Sequence, residues 1–306
     1  MKVPFLDAAS MSVPLVFPDE ADIDYRPYPS SVADEVIERC ADAPVVITNK
    51  VPLSAEALAA LPRLERVCVA ATGVDCVDAR AAERHGIQVL NVKGYSTDSV
   101  AEHVIAMVMQ LLRGTHDSAR AAIDGRWSDS AVFAVHGQPI AELAELTLGI
   151  VGRGMIGEAV GQRAAALGMT VRYASASGRA PSGQDECTLD ALFEQSDLIS
   201  LHCPLVPGTR AMIDADRLSR MKRGAWLINT ARGPLIDDAA LVSALRDGQL
   251  AGAAIDVLDR EPPPADHPLL QTDVPNLIVT PHVAWASRRA QRRLAEAVVA
   301  NVLKGL

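Results

Sequence analysis

The sequence predicts an α/β fold with two parallel-sheet domains, one of them assembled from both ends of the chain. Three observations lead there. Short apolar, β-branched runs recur along the 306 residues, with helix-like segments between them. The runs are unbroken rather than alternating, the mark of parallel strands covered on both faces. A capped, periodic stretch near residue 98 separates a first series of runs from a second.

The first series is "VVIT" (45–48), "VCVA" (67–70) and "VLNV" (89–92), with the helical pattern "AEALAAL" after its first member. "YSTDSVAEHVIAMVMQLLRG" then opens on Ser/Thr/Asp capping chemistry and continues as a long helix. The stretch 113–147, with "GRWSDS" and "HGQPIAELAELT", is weakly periodic and reads as a projecting connection. The second series is "LGIV" (148–151), "VRYA" (171–174), "LISLH" (198–202), "WLINT" (226–230), "AAID" (253–256) and "LIVT" (277–280), with helices such as "EAVGQRAAALG" and "DDAALVSALRDG" between. "EPPPADHP" (261–268) is a proline-dense loop, and "SRRAQRRLAEAVVANVLKGL" is a last helix that can return to the first domain. The expected domains are 1–98 with 286–306, and 99–285, with hinges near 96–100 and 284–288 and a cleft that closes around its ligand.

An apolar fraction of 49% supplies a core, and the net charge of −9 argues against nucleic acid or an anionic membrane as main partner. An anionic small substrate would need particular arginines. The five cysteines, at 40, 68, 76, 187 and 203, are scattered without C-x-x-C, so neither a disulfide framework nor a zinc site follows and no metal is expected. "MKVPFLDAAS" lacks the apolar region of a signal peptide, and "VIAMVMQLL" is too short to cross a bilayer, so a cytoplasmic protein is expected.

The glycine loop carries the first chemistry. Gly152, Gly154 and Gly157 form G-x-G-x-x-G between a strand and a helix, with a second strand after it. That context marks a dinucleotide site: a tight turn, a backbone open to pyrophosphate, and close helix–strand packing. At the end of "VRYA", where an NAD site usually presents an acid to the ribose, stand Ser175, Ser177 and Arg179. Hydroxyls and a guanidinium suit a 2′-phosphate, so the residues lean to NADP(H), with NAD(H) the alternative. Three further strand ends carry Arg232, Asp256 with Glu261 after it, and His282. Ligands of open α/β sheets gather at the carboxyl ends of strands, so these groups should converge.

With these residues in view, the chain resembles the D-isomer-specific 2-hydroxyacid dehydrogenases over nearly its whole length. The motifs are "ATGVDCVD", "NVKGYSTDSVAEH", "GIVGRGMIG", "LHCPLVPGTR", "LINTARGPLID", "DVLDREPP" and "TPHVAWAS". The tryptophan of "PHVAWASR", with "ITNKV" and "VAATGVD", is most similar to the glycerate dehydrogenase (hydroxypyruvate reductase) branch. The resemblance implies two Rossmann-like domains and a homodimer formed through 100–147. It implies substrate anchoring by Arg232, acid/base chemistry by His282 and a carboxylate partner in Glu261. It implies cofactor contacts at Thr72, Met155, Ile156, Cys203, Pro204, Thr230, Ala231, Asp256 and His282, and backbone contacts to the substrate carboxylate at Gly73 and Val74. Trp285 and Met11 are candidates to shape the pocket. Ser175 departs from the family's usual ribose-binding acid, and the chain stops short of the usual C-terminal tail.

The chemistry suits those residue types. A guanidinium can hold a 2-keto acid through two parallel hydrogen bonds and polarise its carbonyl. Hydride then needs a proton to follow it, and histidine supplies one near neutral pH, helped by an adjacent carboxylate. The expected reaction interconverts hydroxypyruvate and D-glycerate, or glyoxylate and glycolate. Another acid such as D-lactate is the alternative, and a non-catalytic cofactor sensor would be expected to lack the arginine or the histidine.

Overall fold

The computed structural model describes residues 1–137 and 139–304. The chain separates into two compact units, Met1–Ser96 with Ala286–Leu306, and Thr97–Trp285.

The first unit is a five-stranded parallel sheet of β1 (Lys2–Phe5), β2 (Asp24–Pro27), β3 (Val45–Thr48), β4 (Arg66–Val69) and β5 (Gln88–Leu90), in the order β2-β1-β3-β4-β5. Three of these strands follow the apolar runs. The other two carry no such run: β1 is interrupted by a proline, and β2 is an edge strand with mostly exposed side chains, where a proline does no harm. Helices α1 (Ala33–Cys40), α2 (Ala55–Ala59) and α3 (Ala79–Arg84) cover the sheet, and Leu58, Val67, Val69 and Ala81 meet in one buried cluster. Ser54 and Asp78 cap α2 and α3 by accepting the N–H three residues on.

The second unit begins with α4 (Thr97–Arg113) and α5 (Thr115–Ile123), followed by a stretch without long regular elements up to the sheet. Its six-stranded parallel sheet contains β6 (Thr147–Val151), β7 (Thr170–Ala174), β8 (Leu198–Leu201), β9 (Ala225–Asn229), β10 (Leu250–Ile255) and β11 (Leu277–Val279), ordered β11-β10-β9-β8-β6-β7. All six coincide with the apolar runs to within a few residues. One face carries α4 and α6 (Met155–Ala166), where Val104 and Val108 meet Ile150 and Val160. The other carries α7 (Leu189–Gln195), α8 (Ala215–Arg220) and α9 (Asp238–Arg246), where Phe193, Leu218 and Leu241 share a core with Leu201 and Leu227. Thr188, Asp214 and Asp237 cap these helices.

The last helix, α10 (Arg288–Leu303), belongs to the first unit and is capped by Ser287. Arg66 of β4 donates to the carbonyls of Asn301 and Val302 at 3.3 and 3.1 Å, and Gln291 Oε1 accepts from Ser12 N at 2.7 Å. Gly305 and Leu306, the end of the helix read from the sequence, lie outside the described residues. Among the described residues no helix is long and apolar enough to cross a membrane.

Candidate active site

The register of the second sheet lines up its strand ends. Ala174, Val151, Leu201, Asn229, Ile255 and Val279 are paired in one row across all six strands. One to three residues past that row come Ser175, Gly152, Cys203, Thr230 to Arg232, Asp256 and His282. The sheet therefore sends these groups out of its carboxyl end.

His282 Nδ1 lies 2.6 Å from Glu261 Oε2, with 25% of the histidine side chain and 32% of the glutamate side chain exposed. A carboxylate can only accept, so Nδ1 carries the hydrogen and Nε2 is the nitrogen left to exchange a proton. Glu261 is itself held, because its Oε1 accepts the Leu258 N–H at 2.9 Å. The ring is aimed by an uncommon backbone: His282 adopts φ +54°, the left-handed region that few non-glycine residues enter. Asp256 stabilises that turn. It is 1% exposed; Oδ1 accepts from Thr280 Oγ1 (2.6 Å) and Val283 N (2.9 Å), and Oδ2 accepts from Ala284 N (2.9 Å). Its carbonyl accepts the His282 N–H at 2.8 Å. Asp256 thus clamps both sides of the histidine, a role its strand-end position alone did not reveal. Another histidine of this unit, just past β8, is unsuited to proton donation. His202 is only part-buried by surface area, yet enough protein surrounds the ring that burial pushes it down to about 4. It sits against Ser200 Oγ at 2.8 Å.

Arg232 follows β9 in extended backbone, and one guanidinium nitrogen donates to Ala231 O at 2.7 Å. Asn229 shapes this turn by accepting from Ala231 N (3.0 Å) and donating to Arg232 O (2.9 Å). The next residue was not singled out from the sequence and matters as much. A Cβ on Gly233 would stand 2.0 Å from the Leu258 carbonyl carbon and 2.1 Å from its oxygen. The arginine turn therefore lies directly against the segment whose N–H holds Glu261. The signal was the glycine in "ARGPL", but its meaning depends on a partner 25 residues away.

The glycine turn fits a dinucleotide. Gly157 would place a Cβ 2.1 Å from Gly152 O, so helix and turn are as close as the fingerprint requires. At Gly154, which precedes α6, a Cβ would meet nothing within 4 Å, leaving the open backbone a pyrophosphate needs. Met155 is exposed and Ile156 packs inward. Thr230 Oγ1 is buried without a hydrogen-bond partner, an orphan that a bound cofactor can satisfy. Cys203 offers only its main chain: the thiol lies 3.8 Å from Met212 Sδ, and burial pushes it up to about 11. Pro204 is exposed beside it, its carbonyl taken by Thr209 Oγ1 at 2.8 Å. Past β7, Ser175 and Ser177 share a 2.8 Å hydrogen bond, and Arg179 is paired with Glu186 at 3.2 Å.

The remaining candidates belong to different surroundings. Thr72, Gly73 and Val74 follow β4 in the first unit, where Thr72 Oγ1 donates to Val92 O at 3.0 Å and Val74 packs on that unit's core. Met11 is buried in the same unit. Trp285 packs on the core of the second unit beside Ala284.

A family model described as D-isomer specific 2-hydroxyacid dehydrogenase, NAD binding domain, matches residues 105–284. The chain belongs to this family. The dehydrogenase is 44% identical to a glycerate dehydrogenase of Methylorubrum extorquens, over 98% of this chain and 95% of that one. It is 37% identical to a hydroxypyruvate reductase of Blautia hydrogenotrophica, over 89% and 86% of the two chains. Among solved structures, D-lactate dehydrogenase from Aquifex aeolicus, complexed with NAD and lactic acid, superposes with a TM-score of 0.83 at 30% identity, covering 98% and 94%. The dehydrogenase is thus an oxidoreductase of 2-hydroxy acids that uses a nicotinamide cofactor, as its motifs implied.

Proposed function

We propose that this dehydrogenase reduces hydroxypyruvate to D-glycerate, and glyoxylate to glycolate, with Arg232, Glu261 and His282 as its catalytic set. The observation that carries the reading is the Glu261–His282 pair at 2.6 Å, issuing from the sheet edge that also carries Arg232. The guanidinium fork anchors the substrate carboxylate and polarises the adjacent carbonyl. When bound, the nicotinamide supplies hydride to the carbonyl carbon. His282 Nε2 gives a proton to the oxygen as it becomes an alcohol, and Glu261 steadies the ring's charge and orientation. Gly73 and Val74 offer main-chain donors to the substrate carboxylate, and Thr72, Met155, Ile156, Thr230 and Ala231 serve the cofactor. Trp285 bounds the substrate side chain.

For the cofactor we infer use of NADP(H) as well as NAD(H). Ser175 and Ser177 offer hydroxyls where a carboxylate would repel a 2′-phosphate, and Arg179 lies a few residues on. A homodimer is supported by the stretch from the end of α5 onward, where Ile123, Phe133 and Ile140 are 87%, 93% and 60% exposed; so much apolar surface in one segment calls for a second copy to cover it. The five cysteines are free thiols, in keeping with a reducing compartment.

Cofactor oxidation assays with hydroxypyruvate, glyoxylate and pyruvate, each with NADH and NADPH, test the reading. Hydroxypyruvate should show the highest kcat/KM. A pyruvate preference would instead favour a D-lactate enzyme, and no turnover of any 2-keto acid would refute the assignment.

A further inference from the structure

The adenosine end of the proposed cofactor site holds a carboxylate that the glycine fingerprint does not foresee. A cavity of about 210 Å³ opens beside the glycine turn and the end of β7, and Arg153, Ser175, Arg179 and Glu186 are among its lining residues. Glu186 comes from the turn after β7, which runs back alongside the strand: Tyr173 and Glu186 form a parallel bridge. Its carboxylate accepts from Ser182 N and Ser182 Oγ, both at 2.9 Å, and these bonds hold it below the usual carboxylate range. Only 9% of the side chain is exposed. Both oxygens lie 3.2 Å from Arg179 Nη2, and Oε1 lies 3.7 Å from Arg153 Nη1. Arg153 lies over the Tyr173 ring at 4.4 Å and is paired with Glu158 at 2.8 Å and Asp185 at 3.1 Å.

We propose that Glu186 sets the choice between NAD(H) and NADP(H), by occupying the guanidinium that would otherwise receive a 2′-phosphate. The proposal rests on the cofactor reading above, in which the ribose lies at Ser175. The two arginines and the three acids Glu158, Asp185 and Glu186 give this corner a charge of +2 − 3 = −1. Neutralising Glu186 brings it to zero and removes the ion pair from Arg179, which keeps its hydrogen bond to Ser182 Oγ at 2.9 Å. Serines at 175 and 177 remove the usual carboxylate from the ribose site, while Glu186 returns one from a different segment. It moderates 2′-phosphate binding without abolishing it, because Arg179 can leave the pair and turn to a ligand of higher charge.

The test uses two fragments carrying only the adenosine end, 5′-AMP and adenosine 2′,5′-bisphosphate, titrated calorimetrically into the full chain. Glu186→Gln should raise affinity for the 2′-phosphorylated fragment about tenfold, the scale of one partly screened unit charge, and leave 5′-AMP unchanged. The gain should shrink in high salt. Ser182→Ala keeps the charge of Glu186 while removing a hydroxyl that donates to Glu186 and accepts from Arg179 Nη1, both at 2.9 Å, and should leave the ratio of the two affinities as it is. An unchanged ratio in Glu186→Gln, or a parallel change for both fragments, would overturn the proposal. So would a Ser182→Ala variant that reproduces the shift, since it would show loop packing rather than charge at work. Arg179→Ala separates the two levels: if it weakens only the 2′-phosphorylated fragment the cofactor reading stands whatever Glu186 does, and if it changes nothing that reading falls, and the role of Glu186 with it.

Discussion

Replacing Gly233 by alanine tests how closely the catalytic loops depend on one another. The new Cβ would stand 2.0 Å from the Leu258 carbonyl carbon, 2.1 Å from its oxygen and 2.4 Å from Asp259 N. All three are main-chain atoms, which cannot swing aside as a side-chain end can. Even a separation of 3.0 Å, below which real Cβ contacts essentially never occur, requires 3.0 − 2.0 = 1.0 Å of displacement. That shift must move the Arg232 turn, or the Leu258 segment whose N–H fixes Glu261, or both. Misalignment of about 1 Å at a reacting centre costs on the order of 10²-fold in rate. Gly233→Ala should therefore lose about that factor in kcat with hydroxypyruvate, while NAD(P)H binding at the glycine turn changes little. Steady-state kinetics at saturating cofactor, with cofactor affinity read by nicotinamide fluorescence and folding by circular dichroism, make the comparison. A folded Gly233→Ala enzyme with wild-type kcat would refute the coupling between the two loops.

Other substitutions probe the remaining parts. His282→Ala should lower turnover by about 10²–10⁴-fold and leave cofactor affinity nearly intact; wild-type turnover would remove His282 from the mechanism. Asp256→Asn turns an amide donor toward the N–H groups of Val283 or Ala284, and should cost about 1–3 kcal/mol in denaturant unfolding along with activity. Burial pushes the Asp238 carboxyl up to about 6, against the pull of His267. The folded chain then binds more protons than the unfolded one between pH ~4 and ~6, so this group adds stability as pH falls through that window and costs stability above it. Asp238→Asn should accordingly raise Tm at pH 8, by an amount worth about 1 kcal/mol after screening, and by less at pH 5; an equal change at both would sink the linkage. Phe133→Ser should shift the protein toward monomer in size-exclusion chromatography, and an unchanged dimer would place the interface elsewhere.

The strands of the second unit were legible because burial on both faces writes itself as unbroken apolar runs, whereas α5 lies inside the stretch 113–147 that reads as a weakly periodic connection. Arg232 and His282 stand out in the sequence because each sits two residues beyond such a run, and Glu261 because it follows "AAID" in the proline-dense loop; their catalytic roles are what the proposed assays decide. Three features were not. Strands β1 and β2 lack a β-branched apolar run, since a proline interrupts one and the other lies at an exposed edge. The clamp of Asp256 on Val283 and Ala284 joins residues 27 and 28 positions apart, and only the folded turn shows which N–H groups its carboxylate meets. Arg179 reads from sequence as a free cation near the ribose site, whereas the return of the chain beside β7 delivers Glu186 to it. In the last two cases the missing information was a tertiary contact, which local pattern does not encode.

The seating of α10 bears on how the polypeptide matures during synthesis. Arg66, Asn91 and Ser12 all find partners on a helix made only after the whole second unit, at Asn301, Val302 and Gln291. While the ribosome is still adding those residues, the earliest sheet lacks one of its covering layers, and the unit encoded in the middle of the message can finish first. The first sheet must wait for a helix that follows the whole of the second unit.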